Sequence, residues 1–206
     1  MESRISDALQ LGKTFVSTSA DTGRNDLIAE NERLSMEVSR LRLELLDLER
    51  KADTDPLVPV YNRRAFMREV ERAKSVMTRY DILSCVVFFD LNNFKSVNDR
   101  FGHAIGDELL RKVGDVLSQG VRSCDLVARL GGDEFGVLLF KTTLKEAKAK
   151  ASALACRISE QAVEMPTGTI EVTTAWGVAP CDAEDSAEQI LARADRNMYM
   201  SKKQFQ

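Results

Sequence analysis

Leu130-Gly131-Gly132-Asp133-Glu134-Phe135 is the stretch that decides the fold of this chain. Two glycines stand directly before two carboxylates, and apolar segments flank both sides, so residues 126–140 read as a tight hairpin with acids at its tip. Glycine lets the backbone turn at positive φ and lets a ligand approach closely. Asp133 and Glu134 add hard oxygens of the kind Mg²⁺ takes. Taken alone, Gly-Gly-Asp between strands is a solvated turn, so the hairpin gains meaning only from what else the chain supplies.

Ile82-Leu83-Ser84-Cys85-Val86-Val87-Phe88-Phe89 supplies it: a continuous apolar run reads as a strand over 82–89 buried on both faces, ending at Asp90. The chain then turns polar through Asn92, Asn93, Lys95, Asn98 and Asp99, and enters a helical pattern near Ala104. Singly these residues have ordinary roles. Asp90 can cap a helix, Asn98-Asp99 can form a turn, Lys95 and Lys202 can be solvated, and His103, the only histidine, can order a loop or cap the next helix.

Their order is informative. Asp90, Phe94-Lys95, Asn98-Asp99, Gly102-His103 and Gly106-Asp107, followed by Arg129-Leu130-Gly131-Gly132-Asp133-Glu134-Phe135, closely resemble the GGDEF diguanylate cyclases over residues 53–203. The resemblance implies a palm-like α/β (α+β) nucleotide-cyclase fold. It also implies a nucleotidyltransferase activity, the condensation of two GTP into cyclic di-GMP with release of two pyrophosphates. Metal ligands implied in this way are Asp90, the Leu91 carbonyl, Asp133 and Glu134, holding two Mg²⁺ (or Mn²⁺) per site. Asp133 or Glu134 would help to deprotonate the attacking 3′-hydroxyl. The backbone of Asn92, Asn93, Phe94 and Lys95 would cradle phosphates, with charge from Lys95 and Lys202 and close approach at Gly131 and Gly132. Asn98 and Asp107 fall on guanine-reading positions, which suits an amide donor and a carboxylate acceptor. Arg122 and Asp125 fall on an inhibitory product site for cyclic di-GMP; their plainer reading is a surface ion pair.

Three departures from the family pattern are visible. Pro59 stiffens the lead-in Leu57-Val58-Pro59-Val60 where members often carry Leu-Thr-Gly-Leu. Asn92 stands where many members have a second Asp, and Phe205-Gln206 stands where Gly-Arg usually follows the closing lysine.

Upstream, Leu27, Asn31, Leu34, Val38, Leu41, Leu45, Leu48 and Ala52 alternate at spacings of four and three, the a/d seam of a coiled coil. Leucine at d with Asn31 and Val38 at a favours a parallel homodimer, with Glu37 meeting the partner's equivalent of Arg42. The expected organisation is a polar arm over 1–24, a dimerisation helix over 25–52 and a catalytic domain over 53–206. Within the domain, helices from Arg63, over 104–118 and over 144–163, and a last helix capped by Ser186, would cover a central, mostly antiparallel sheet that includes residues 170–179.

Composition narrows the function classes. Twenty-nine basic and 32 acidic residues, a net charge of −3, lie interspersed, with no basic patch for DNA or RNA. Cys85, Cys124, Cys156 and Cys181 show no metal spacing and read as reduced thiols of a cytoplasmic protein. No apolar run suffices for a bilayer span, and Met1 opens no signal sequence. Other function classes that fit are a non-catalytic receptor for cyclic di-GMP or GTP and a dimeric scaffold module.

Overall fold

The computed structural model describes residues 30–45, 47–48, 51–160, 163–165, 168–170 and 172–204. The expected 1–24 arm, Leu27 of the seam, and Phe205-Gln206 lie outside them. The chain divides after Ala52 into two units, described separately.

In the first unit, residues 30–45 form a helix, α1. Its seam residues Leu34, Val38, Leu41 and Leu45 are all exposed on the single chain, as are Leu48 beyond it and Met36 and Leu43 on another face. Arg40 reaches back to Glu37 and forward to Glu44, each at 2.7 Å, so Glu37 already has an intrahelical partner besides any across a dimer.

The second unit is built on a five-stranded sheet in the order β1-β3-β4-β2-β7, with β1 (Tyr61–Asn62) parallel to β3 and every other neighbour antiparallel. The strands are β2 (Ser84–Leu91), β3 (Leu126–Gly131), β4 (Glu134–Phe140) and β7 (Thr174–Pro180); β5 (Val163–Met165) and β6 (Gly168–Ile170) form a separate hairpin. β2, an interior strand between β4 and β7, is buried nearly throughout, which explains its unbroken apolar run. Its even and odd residues enter different cores. Cys85, Val87, Phe89 and Leu91 pack with α4 (His103–Gly120) and α5 (Leu144–Ser159). Val86 and Phe88 pack with α2 (Arg63–Tyr80) and α6 (Ala187–Gln204).

Helix ends follow local chemistry. Asn62 caps α2 by accepting from Ala65 N–H, Thr143 and Glu146 form a capping box on α5, and Ser186 exchanges bonds with Gln189 at the start of α6. His103 does not cap: it is exposed in the first turn of α4, where Gly102 is the cap.

Several boundaries differ from expectation. β2 runs to Leu91 instead of ending at Phe89, because β4 and β7 continue their pairing to Glu134 and Thr174. The 144–163 helix stops at Ser159, as Val163 pairs with Ile170 in the β5–β6 hairpin. The 170–179 strand begins at Thr174, and residues 94–101 form a helix, α3, which polar composition hid.

Candidate active site

Residues Asp90 and Glu134 are direct cross-strand neighbours in the β2–β4 ladder. Like charges in that register repel, so the fold places them together at an energetic cost. Phe89 and Phe135, one step back, are fully buried on the opposite face and hold the register. The acids therefore face α2 and α6, and α6 answers them: Lys202 Nζ donates to Asp90 Oδ1 at 2.7 Å.

Asp133 forms the tip with Gly132, which takes φ 48°, a left-handed turn conformation that favours glycine. Leu91 N–H donates to the Asp133 carbonyl at 3.3 Å, stitching the tip to the end of β2. Burial raises the proton affinity of Asp133 above the ordinary carboxylate range, with the Asp90 charge adding to it. Glu134 is raised for the same first reason, with Asp90, Asp133 and Asp195 adding and Arg63 opposing.

A latch holds the hairpin. Arg129 donates through Nε and Nη2 to the Gly132 carbonyl at 2.9 and 2.8 Å, and through Nη1 to Asp55 Oδ1 at 3.2 Å. That same Asp55 oxygen accepts from Leu57 and Val58 N–H, so the lead-in segment and the acid tip are one hydrogen-bonded unit. In the sequence Arg129 stands out only as part of its motif, and nothing there marks Asp55.

Beyond Leu91 the chain turns through Asn92 and Asn93, the latter at φ 59°, into α3 (Phe94–Phe101). The phosphate cradle expected over Asn92–Lys95 is thus a two-residue turn plus a helix start. No side chain caps α3, and its first intrahelical bond is Val97 N–H to Asn93 O, so the amides of Phe94, Lys95 and Ser96 have no partner within the helix. Lys95 is exposed beside them. Asn98 lies farther along α3 against Gly106 of α4; a methyl group on Gly106 would overlap Asn98 Oδ1 and crowd Phe94. Asn98 Oδ1 is buried and, among the described residues, unpartnered, and half-buried Asp107 follows Gly106. Asp90, the helix start and the two base-reading candidates thus lie in succession along β2, the turn, α3 and α4, with Glu134 opposite Asp90 on β4.

Arg122 and Asp125 lie apart. They precede β3 at the end away from the hairpin tip, about 20 Å along a six-residue strand path. Arg122 is exposed, and the Asp125 oxygens accept from the backbone N–H of Arg122 and of Phe140, each at 3.0 Å. Asp125 is therefore a turn builder, whatever else it binds.

Such a sheet, with acids brought together at a strand end and a hairpin tip and helices on its faces, is the architecture of a palm-like α/β domain. The family model "Diguanylate cyclase, GGDEF domain" matches residues 52–206, and the chain belongs to that family. It is 32% identical over 156 residues to the probable diguanylate cyclase DgcT of Escherichia coli (strain K12), covering 73% of this chain and 34% of that protein. It is 32% identical over 161 residues to the diguanylate cyclase DgcP of Pseudomonas aeruginosa, covering 77% and 24%. The chain thus spans about a third or less of the curated relatives it matches. Among solved structures, the coiled coil and GGDEF domain of DgcB from Caulobacter crescentus, in complex with c-di-GMP, aligns with TM-score 0.76 at 27% identity, over 86% of this chain and 94% of that one. Diguanylate cyclase SiaD of Pseudomonas aeruginosa, in complex with its activator SiaC, aligns with TM-score 0.76 at 26% identity, over 98% and 79%. Among the described residues no helix is long and apolar enough to cross a membrane.

Proposed function

We propose that this chain is a diguanylate cyclase. In it, the 3′-oxygen of each of two GTP molecules attacks the α-phosphorus of the other, forming two phosphodiester bonds and releasing two pyrophosphates. The observation that carries this reading is the Asp90–Glu134 cross-strand pair with Asp133 at the adjoining tip and Lys202 at hydrogen-bond distance from Asp90. Forced juxtaposition of acids, with raised proton affinity, is an arrangement folds keep for chemistry.

The donor set fits divalent metal. Among the described residues no three His, Cys, Asp or Glu side chains converge on one point, so the set needs main-chain oxygen as well. Asp90, Asp133, Glu134 and the Leu91 carbonyl would hold two Mg²⁺ (or Mn²⁺), whose contribution is to activate the attacking oxygen and neutralise the leaving pyrophosphate. The residues do the rest. Asp133 or Glu134, poised above the usual carboxylate range, accepts the 3′-hydroxyl proton. The amides that begin α3 hold phosphate oxygens, with Lys95 and Lys202 adding charge, while Gly131 and Gly132 admit the nucleotide. Asn98 and Asp107 read guanine, and Gly106 leaves the room Asn98 needs.

Two such sites must face one another. The leader helix over 25–52 brings two catalytic domains (53–206) together as a parallel homodimer through the exposed Leu34-Val38-Leu41-Leu45 seam, raising their effective concentration. Cyclic di-GMP binds back at Arg122 and Asp125 and inhibits; these residues lie away from the acids, as regulation without competition requires. Cytoplasmic location suits a GTP-consuming enzyme with four free thiols.

The test is incubation of the purified chain, stripped of nucleotide, with GTP and Mg²⁺ beside an Asp133→Ala control. Cyclic di-GMP from the unmodified chain alone supports the reading; none from a dimeric, GTP-binding sample overturns it in favour of a receptor.

A further inference from the structure

A cavity of about 600 Å³ opens where β7 begins, lined by Asn92, Thr173, Thr174, Trp176, Ser201 and Lys202 among others. Three hydroxyls border it, and their hydrogen bonds are not alike. Thr174 Oγ1 donates to the Asp90 and Ala175 carbonyls at 2.9 and 3.1 Å, and Ser201 Oγ donates to the Asn197 carbonyl at 3.0 Å. Both are committed to the backbone. Thr173 differs: its oxygen accepts from Asn92 Nδ2 at 2.9 Å, and among the described residues its hydrogen has no acceptor. Thr173 is exposed and lines the cavity together with Lys202.

Asn92 fixes this polarity. Its backbone N–H donates to Thr173 O at 2.8 Å, holding the two residues in register, and its carboxamide supplies the hydrogen that occupies a lone pair of Thr173. A carboxylate at 92 offers no hydrogen, so the hydroxyl would have to donate to it and would be lost to any ligand. The other head atom, Asn92 Oδ1, is buried and unpartnered among the described residues, which a neutral amide withstands far better than an ionised carboxylate would.

Resting on the cyclase reading above, the geometry points to Thr173 as a further substrate-positioning residue. Its hydroxyl donates to a phosphate oxygen of the nucleoside triphosphate in this cavity, and Asn92 orients it. The Asn in place of a second Asp is then a device that frees a donor.

The full chain is titrated with 3′-deoxy-GTP and Mg²⁺, since this substrate analogue lacks the attacking hydroxyl and binds without turnover. Trp176, the chain's one tryptophan, lines the cavity and reports occupancy by fluorescence, with calorimetry beside it. Thr173→Val, which keeps the shape, weakens binding about tenfold, and Thr173→Ser restores it to within about twofold, as expected for a lost hydrogen bond to a charged acceptor. In an Asn92→Asp background the same Thr173→Val change alters affinity by less than about twofold, because the carboxylate has already taken the hydrogen. Unchanged binding in Thr173→Val overturns the inference while leaving the cyclase reading standing. A full tenfold loss in the Asn92→Asp background overturns the role given to Asn92. Failure of the unmodified chain to bind the analogue overturns both.

Discussion

Lys202 Nζ lies 2.7 Å from Asp90 Oδ1, so the last turn of α6 and the end of β2, 112 residues apart, meet at the acid cluster. The two side chains remain 37% and 25% exposed, which limits what the pair contributes to folding, on the order of 0–1 kcal/mol. Its use lies in charge. Lys202→Met should therefore lower cyclic di-GMP formation by at least about tenfold while moving the thermal midpoint by no more than about 2 °C. Steady-state kinetics and a melting curve on the same preparation check both; a large loss of stability would make Lys202 a structural residue instead.

The Arg129 latch should behave in the opposite way. Its side chain is 16% exposed and that of Asp55 13%, and its guanidinium serves the Gly132 carbonyl with two donors at once. Arg129→Lys keeps the charge but loses the fork, leaving Gly132 O and Asp55 short of partners. Expected is a loss of about 1–3 kcal/mol in urea unfolding together with reduced activity, since the tip bearing Asp133 loosens. Equal stability in Arg129→Lys and the unmodified chain would count against the latch.

Two glycines separate packing from recognition. An added methyl at Gly177 would overlap the Ala194 carbonyl and Met198 N, both backbone atoms of α6, so the helix itself must retreat. Gly177→Ala should cost about 3 kcal/mol or more and take Lys202 out of reach of Asp90. At Gly106 the clash is with the end of a side chain, Asn98 Oδ1, which can swing aside. Gly106→Ala should thus fold normally yet raise KM for GTP about tenfold and narrow the preference for GTP over ATP, because Asn98 is displaced. Competition assays with both nucleotides distinguish the two outcomes.

These contrasts show which parts of the site leave a trace in sequence. An acid closing a buried strand and Gly-Gly before two more acids are local violations of pattern, so Asp90, Asp133 and Glu134 stand out in the sequence as candidates, and the ladder sets Asp90 opposite Glu134. Ser186 was legible from the capping chemistry it shares with Gln189. The Arg129 latch was not, since its acceptor is a backbone carbonyl that any residue at 132 would offer. Nor was the Asn92–Thr173 pair, whose partners are 81 residues apart and differ from ordinary loop polars only in which atom donates. α3 escaped because eight residues with one buried side chain, Val97, make too short an apolar stripe to register. Strand β1 is only two residues long, and the β5–β6 hairpin broke what read as a helix and then a longer strand.

The leader helix supports a prediction in which concentration is the variable. Leu34, Leu41 and Leu48 are each about half or more exposed on the single chain, so a charge on the seam meets water in the monomer and apolar surface in the dimer. Leu41→Glu should leave the catalytic domain folded but convert a dimer to a monomer in analytical ultracentrifugation. Specific activity should then rise steeply with protein concentration, as two domains must meet by diffusion. Flat specific activity across the same range would separate the helix from catalysis.

Acid titration provides a test of opposite signs within one domain. Asp53 accepts from Arg68 at 3.0 and 2.7 Å and from Arg64 at 3.2 Å, and the Arg68 hydrogen bonds above all hold its carboxyl below the ordinary range. Its pKa is lower folded than unfolded, so it contributes stability above the unfolded value near 4, and the contribution is lost as pH falls through the folded value. Asp133 is the reverse. Burial first, and then the Asp90 charge, raise it, so the folded state holds the proton to higher pH than the unfolded chain. Ionising Asp133 therefore destabilises the metal-free fold as pH climbs above 4 and through the raised value, and the strain is absent below both. In chelator at pH 7, Asp53→Asn should lower stability by about 1 kcal/mol, whereas Asp133→Asn should raise the melting midpoint by about 1–2 °C and abolish turnover. Both differences should shrink toward zero as pH falls, that of Asp133→Asn at the higher pH. Urea unfolding of the three proteins across pH 3–7 reads the order directly, and the same sign for both variants would remove the electrostatic account of why these acids are held together.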